Sequence, residues 1–450
     1  MTIDHTDKSS TASHTTLRID SLAHGGAGVC RDENGRAVFV PSTAPGDTVR
    51  AEIVSEKAKY AQARLVEVLD AGPSRVAPAC PLAPLCGGCH WQHIAYDTQV
   101  EQKRLSVLSA LTRIGKTDLE RAERLVESCA YGKRELGYRN KLELACGRDA
   151  RGLLTLGFHA PGSSDVVPVP SCPLGHRALE KAPHALQGAL RYLEGTSDLG
   201  LFRIGVRHSM RTKSCEVALW TSPGPFPRSA AAKTISSALP TTSIVRVVAD
   251  PGSARKVKNV EVLLGAGNWA EELGGFDYLV SAPSFFQVNT SQAETLQRLV
   301  LEGLDVRSGM RVADLYSGVG TFTLPLAERC DDVVAVESLG PAVRDLRRNA
   351  ESAGLWVDVV GGDSARELPD LGPLDALVVD PPRVGLAEGV AESIASAGPK
   401  RLAYVSCDPA TWARDVARLA ANGYQLTKAT PVDLFPQTYH VEVVSIFEQA

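Results

Sequence analysis

Several short runs in the C-terminal third place reactive side chains where the chain leaves an apolar strand. Asp314-Leu-Tyr-Ser-Gly-Val-Gly-Thr-Phe-Thr323 follows one predicted strand and opens a helix, and Glu337 closes the next strand, DVVAVE, 17 positions after Gly320. Gly318 and Gly320 let the backbone turn tightly and approach a ligand without a Cβ in the way. The third glycine of a dinucleotide fingerprint is missing, while a carboxylate at Glu337 can accept two hydrogen bonds from a ribose diol. Together they fit an adenosyl cofactor with no pyrophosphate, and S-adenosylmethionine meets that description. Asp363, in VVGGDSA, lies near the end of the next unit, where it could reach an adenine amino group or simply cap a helix.

Asp380-Pro-Pro-Arg383 follows the apolar strand LDALVV, and Ser406-Cys407-Asp-Pro409 follows LAYV. In an open parallel sheet ligands sit beyond the carboxyl ends of the strands, so Asp380 and Cys407 face one crevice. Glu442 stands 35 residues beyond Cys407, after the stiff run Asp433-Leu-Phe-Pro-Gln-Thr438. A thiol and a carboxylate beside a methyl donor suit one reaction in particular. C5 of uracil is a poor nucleophile until a thiolate adds to C6 and turns the ring into an enolate. Cys407 suits that addition, and Glu442 suits removal of the C5 proton. Arg383 could favour the thiolate or the enolate, since a neighbouring cation lowers a cysteine pKa. Asp-Pro-Pro also occurs in amino-group methyltransferases, which need no thiol. A non-catalytic RNA-binding module is the alternative from another class.

A second cluster is built of sulfur. Cys80-x5-Cys86-Gly-Gly-Cys89 gives three thiols within ten residues, and Cys172, in the proline-bounded PSCPLGH, is the best candidate for a fourth. A structural zinc and a [4Fe–4S] cluster compete for such a set, and spacing by itself leans to zinc. Cys30, Cys129, Cys146, Cys215 and Cys330 stand singly in apolar surroundings and read as structural.

The elements that must carry these residues fall into blocks. Residues 1–15 are polar and read as a disordered tail. Residues 16–71 alternate apolar and polar residues in five or so short strands, as a small OB-type β-barrel does, with Lys57, Lys59 and Arg64 available to phosphates. A helix is expected near 96–114, with Val100, Leu105, Leu108 and Leu111 on one face. Residues 126–285, with 72–95, read as a central α+β domain. From 286 to 450 short apolar strands alternate with helices, which specifies an α/β, doubly wound, mostly parallel sheet.

Composition bounds the rest. The 450 residues suffice for two to four domains, and 44% hydrophobic with 22% charged residues is ordinary for globular domains. The net charge of -4 means that nucleic acid would be met by local basic patches. No secretory signal and no run of about 18 apolar residues is present, so a cytoplasmic protein without membrane contact is expected. There, clustered cysteines bind metal or catalyse rather than form disulfides.

These motifs resemble the bacterial RNA uracil-5-methyltransferases, most closely the 23S ribosomal RNA members with an N-terminal TRAM domain and a [4Fe–4S] cluster. The likeness runs from about 16 to 448. It is carried by Cys80-x5-Cys-Gly-Gly-Cys89, Gly137-Tyr-Arg-Asn-Lys141, Ser284-Phe-Phe-Gln-Val-Asn289, Asp314-Leu-Tyr-Ser-Gly-Val-Gly320, Asp380-Pro-Pro-Arg383, Ser406-Cys-Asp-Pro409 and Asp433-x-Phe-Pro-x-Thr-x-His-x-Glu442. It implies a Rossmann-like class I methyltransferase domain formed by 96–125 and 286–450, a TRAM barrel over 16–71 and a central iron–sulfur domain. It also implies Cys407 as nucleophile and Glu442 as base. Gln287, Tyr316, Glu337, Asp363 and Asp380 would contact S-adenosylmethionine, with Gly318 in the turn between them. Cys80, Cys86, Cys89 and Cys172 would hold the cluster, and the helix near 96–114 would pack on the catalytic domain. Thr321 stands where relatives often have Asn, and Ser317 where some have Cys. Folded RNA is the implied partner, ribosomal before transfer RNA, met by a monomer. Its target base must be flipped out, with Lys133, Arg134, Arg139, Lys141, Arg203, Arg207 and Arg211 as candidate backbone contacts.

Overall fold

The computed structural model describes residues 14–195, 198–253 and 256–450. The chain divides into two compact units. Of the described residues, the first joins 14–84, 89–102 and 437–439, and the second holds 85–88, the described part of 103–436, and 440–450. This partition cuts differently from the sequence-based blocks: residues 72–84 go with the barrel, and the central and catalytic blocks share one unit.

The first unit is built on β1 (His14–Arg18), β2 (Ser21–Leu22), β3 (Gly28–Arg31), β4 (Ala37–Val40), β5 (Thr48–Glu56) and β6 (Tyr60–Asp70). They form one six-stranded sheet in the order β1-β5-β6-β4-β3-β2. Alternation along these strands buries Leu17, Val38, Val40, Val49, Ala51, Ala61 and Ala63 in a single core. Most of the expected tail, residues 1–13, lies outside the described residues, and His14 and Thr15 already belong to β1. Trp91 is buried beside Ile94 and Ala44, with its indole N–H donating to Gly26 O at 3.1 Å. Lys57 and Lys59 are exposed, whereas Arg64 is paired with Glu52.

A helix runs over Tyr96–Arg113. Its buried stripe is Gln99, Lys103, Val107 and Leu111, with Leu108 and Ala110 beside it, while Leu105 is exposed. Of the expected face, Leu108 and Leu111 are buried, Val100 is half-buried and Leu105 is exposed. Gln99 and Lys103 occupy the stripe because their polar ends satisfy buried partners. Gln99 Nε2 donates to Trp91 O and Ile94 O at 3.0 and 2.9 Å. Lys103 donates to Asp433 and to Phe435 O.

In the second unit a seven-stranded sheet contains β7 (Lys141–Arg148), β8 (Leu154–His159), β9 (Val166–Pro168), β10 (Leu201–His208), β11 (Cys215–Thr221), β12 (Ser243–Val248) and β13 (Asn259–Leu264). Its order is β13-β12-β11-β10-β7-β8-β9. A hairpin of β14 (Trp269–Leu273) and β15 (Phe276–Val280) follows.

The last sheet carries the chemistry. It consists of β16 (Arg311–Leu315), β17 (Asp332–Glu337), β18 (Asp358–Gly361), β19 (Ala376–Val379), β20 (Arg401–Ser406), β21 (Tyr424–Val432) and β22 (Glu442–Gln449). The order is β18-β17-β16-β19-β20-β22-β21. The first five strands run parallel, and β22 is antiparallel to both neighbours. β16, β17, β19 and β20 are buried on both faces, which is why they read as unbroken apolar runs. One face packs against Val107, Leu111, Ile394 and Trp412, the other against Leu296, Val300, Leu304 and Phe322. The C-terminal half of the Tyr96–Arg113 helix thus shares a core with β20 and β22. Among the described residues no helix is long and apolar enough to cross a membrane.

Candidate active site

The candidate residues gather at the carboxyl ends of the parallel strands. Leu315 ends β16 between Val336 of β17 and Val379 of β19, so Tyr316 and Asp380 leave the sheet side by side. Tyr316 has φ +63°, a left-handed conformation that is uncommon for a non-glycine residue and clusters at functional turns. Its N–H donates to Ser364 Oγ at 3.3 Å. Gly318 (φ +58°) and Gly320 (φ +100°) continue the turn. A Cβ on Gly320 would come within 2.6 Å of Leu346 Cδ1, while one on Gly318 would meet nothing within 4 Å. The turn is therefore packed against the helix on one side and open on the other.

Glu337 ends β17 and closes this turn. Its carboxylate accepts from Gly318 N at 2.9 Å and from Leu339 N at 2.6 Å. Asp363 caps the Ser364–Glu367 helix by accepting from Ala365 N at 3.1 Å. Gln287 is buried in the run that leads into the Thr290–Leu304 helix. The open side of the glycine turn, flanked by two carboxylates, fits an adenosyl group.

Sequence reasoning missed Asp314 as a site residue. It is fully buried. One carboxylate oxygen accepts from Thr323 Oγ1 at 2.6 Å, and the other has no partner among the described residues. Burial pushes its carboxyl up to about 7 against that hydrogen bond, with Asp380 and Glu337 adding to the rise. Nothing in the sequence separates this Asp from a helix-capping one.

The thiol is placed by register. Ser406, the last residue of β20, pairs with Val443 of the antiparallel β22. Cys407 therefore leaves β20 next to the start of β22, where Glu442 stands. Asp408 then caps the Pro409–Ala421 helix, accepting from Ala410 N and Thr411 N, with proline in the first turn where no donor is lost. Burial pushes the Cys407 thiol up to about 12. Glu442 and Asp380 add to the rise, and the charge of the Arg383 guanidinium opposes it. The expectation for Arg383 is thus right in direction but outweighed: in the free protein Cys407 is a thiol. Burial raises Glu442 to about 7 against Arg383, and burial and then Glu442 hold Asp380 well above the usual carboxylate range. A thiol, two carboxyls and one guanidinium form a single coupled group.

The expected RNA-contacting cations divide. Lys133 and Arg134 are exposed. Arg207 is buried and donates to Ser281 O, Ala282 O and Ser284 O at 3.0, 3.3 and 2.6 Å, so it supports the fold instead of RNA. Arg211 makes two hydrogen bonds to Glu294. Lys141 and Arg203 share Glu143, and the Arg203 guanidinium lies 3.8 Å from the Trp220 ring centre.

None of the ten cysteines is in a disulfide. Cys86 Sγ accepts from Gly88 N at 3.4 Å, and Cys89 Sγ accepts from Gln92 Nε2 at 3.1 Å. Among the described residues no group of three or more Cys, His, Asp or Glu side chains is placed to hold a metal ion. The expected set Cys80, Cys86, Cys89 and Cys172 is not gathered into such a group, either for the [4Fe–4S] cluster or for its zinc alternative.

Comparison with known proteins decides the family. The TRAM domain family matches residues 13–66, the methyltransferase small domain 290–404, and the tRNA (uracil-5-)-methyltransferase family 372–450. An RNA methyltransferase of Gloeobacter violaceus, itself uncharacterized, is 38% identical over 97% of this chain and 96% of its own. The chain belongs to the RNA uracil-5-methyltransferase family. A second relative, an uncharacterized RNA methyltransferase of Thermosynechococcus vestitus, is 36% identical over 96% of this chain and 97% of its own. The crystal structure of Pyrococcus abyssi tRNA (uracil-54, C5)-methyltransferase in complex with S-adenosyl-L-homocysteine is 27% identical, with a TM-score of 0.74. It covers 96% of this chain and 100% of that one. Within the family frame the β16–β22 sheet belongs to the class I methyltransferase domain and the six-stranded sheet to the TRAM domain.

Proposed function

We propose that this protein methylates C5 of a uridine in RNA, with Cys407 as covalent nucleophile and Glu442 as base. The observation that carries the reading is the pairing of Ser406 with Val443, the neighbours of Cys407 and Glu442, with the Glu442 and Asp380 charges both acting on the thiol. S-adenosylmethionine, held by Gln287, Tyr316, Gly318, Glu337, Asp363 and Asp380, supplies the methyl group when bound. Cys407 gives its proton to solvent on attack, leaving Glu442 free for the later step, and Arg383 stabilises the thiolate. The sulfur bonds to C6, and the ring electrons move onto C5 and O4. After C5 has taken the methyl group, Glu442 removes the C5 proton. That C–H pair re-forms the C5–C6 double bond, and the Cys407–C6 bond breaks to return the thiolate. Fixed charged groups beside the thiol suit these steps because they need little reorganisation as charge moves.

RNA labelled with tritium at uridine C5 tests this reading. Methyl transfer should release tritium to water in equal amount, whereas an amino-group methyltransferase would transfer methyl without release. The TRAM barrel and the cysteine knuckle favour 23S ribosomal RNA by resemblance. Transfer RNA is the runner-up and is what the Pyrococcus abyssi relative acts on. Mapping 5-methyluridine in both RNAs from a deletion strain separates them. We place the protein in the cytoplasm and working as a monomer, on the same resemblance. The [4Fe–4S] ligand set Cys80, Cys86, Cys89 and Cys172 also rests on the resemblance, supported by N–H donors to two of the sulfurs. Anaerobically purified protein should absorb visible light; colourless protein would contradict it.

A further inference from the structure

The Gly137-Tyr-Arg-Asn-Lys141 run takes no part in the chemistry above, yet Tyr138 and Asn140 are buried, and their polar atoms reach two active-site segments. Asn140 Nδ2 donates to Gln287 O at 2.9 Å and to Thr290 Oγ1 at 3.0 Å, and Asn140 N donates to Val288 O at 2.8 Å. Tyr138 Oη donates to Pro436 O at 3.1 Å. Pro436 lies six residues ahead of Glu442. Between them, Arg139 is pinned like a strand residue: its N–H donates to Leu174 O, and its carbonyl accepts from His176 N. The two held segments also touch each other. Asn289 Nδ2 donates to Leu434 O at 3.1 Å, and Gln292 Nε2 to Asp433 O at 3.1 Å.

We propose that Tyr138 and Asn140 are positioning residues with separate duties, Asn140 setting the Gln287 segment for the cofactor and Tyr138 setting the Asp433–Pro436 run for the base. The inference rests on the proposed roles of Gln287 and Glu442. Each side chain satisfies a buried backbone carbonyl. Removing the donor leaves that carbonyl unpaired and lets its segment shift, which is enough to change an affinity or a rate about 10-fold.

The test uses the full-length protein and two near-isosteric variants. N140D loses the donor to Gln287 O and should weaken S-adenosylhomocysteine binding about 10-fold by calorimetry. Y138F loses one hydroxyl and should keep that affinity within about two-fold. It should slow tritium release from C5-labelled uridine RNA about 10-fold, while the covalent protein–RNA complex builds up. Wild-type affinity in N140D together with wild-type release in Y138F would overturn the proposal. So would an equal loss of both readouts in both variants with a lowered melting temperature, which is the mark of a merely structural role. If N140D does not fold, the release rate of Y138F decides by itself. Wild-type protein that binds no S-adenosylhomocysteine and releases no tritium would instead sink the function on which the inference rests.

Discussion

At Cys407 and Glu442 the free protein keeps protons that the reaction must move. Glu442 acts as a base only when ionised. With its carboxyl raised to about 7 by burial, the proton-removal step should speed up as pH climbs through about 7 and level off above. A pH profile of tritium release in a single turnover measures this, and a flat profile from pH 5.5 to 8.5 would contradict it. Glu442→Gln keeps the shape and loses the base. Turnover should fall on the order of 10²- to 10⁴-fold, and a covalent protein–RNA complex should accumulate on denaturing gels; near-normal turnover would count against the assignment. The placing of Cys407, Asp380 and Glu337 at the carboxyl ends of parallel strands was legible in the sequence because the runs that lead to them are apolar. Asp314 and Arg207 were not. A buried Asp at a strand end and a buried Arg on an alternating strand look like solvated residues until their partners, Thr323 and three backbone carbonyls, are seen.

The elements were read with uneven success for a physical reason. Strands of the catalytic sheet stand out because both faces are buried. The stripe of the Tyr96–Arg113 helix was blurred because Gln99 and Lys103 replace apolar residues on its buried face. Lys103 and Asp433 form a fully buried ion pair between this helix and the segment before Glu442. Breaking such a pair leaves an uncompensated charge, so Asp433→Ala should cost about 3–5 kcal/mol of stability. Urea unfolding measures it, and a loss under about 1 kcal/mol would show that the pair is not desolvated as it looks.

Over the whole molecule the block order was legible, but the compact units were not. The first unit borrows residues 437–439 from far along the chain, and no local pattern announces such an insertion. Burial also sets the response to pH. Asp314, Glu216 and Glu442 are each raised to about 7. In the unfolded chain they ionise near 3.8 to 4.5, so the native state holds protons that the unfolded state has lost. Their stabilising contribution is full below the unfolded values and is lost as pH rises through about 7. Glu216→Gln should therefore lift the melting temperature of the ligand-free protein more at pH 8 than at pH 5, and an equal shift at both would contradict the burial of this carboxyl.

The central claim is the bond between Cys407 and C6 of a uracil. RNA carrying 5-fluorouridine tests it directly, since Glu442 cannot remove fluorine as a proton and the thiolate cannot leave. With S-adenosylmethionine present, the wild-type protein should form a complex with this RNA that survives denaturation, maps to Cys407 by peptide sequencing and is absent from Cys407→Ala. Protein that methylates ordinary uridine in RNA yet yields no such complex would contradict it.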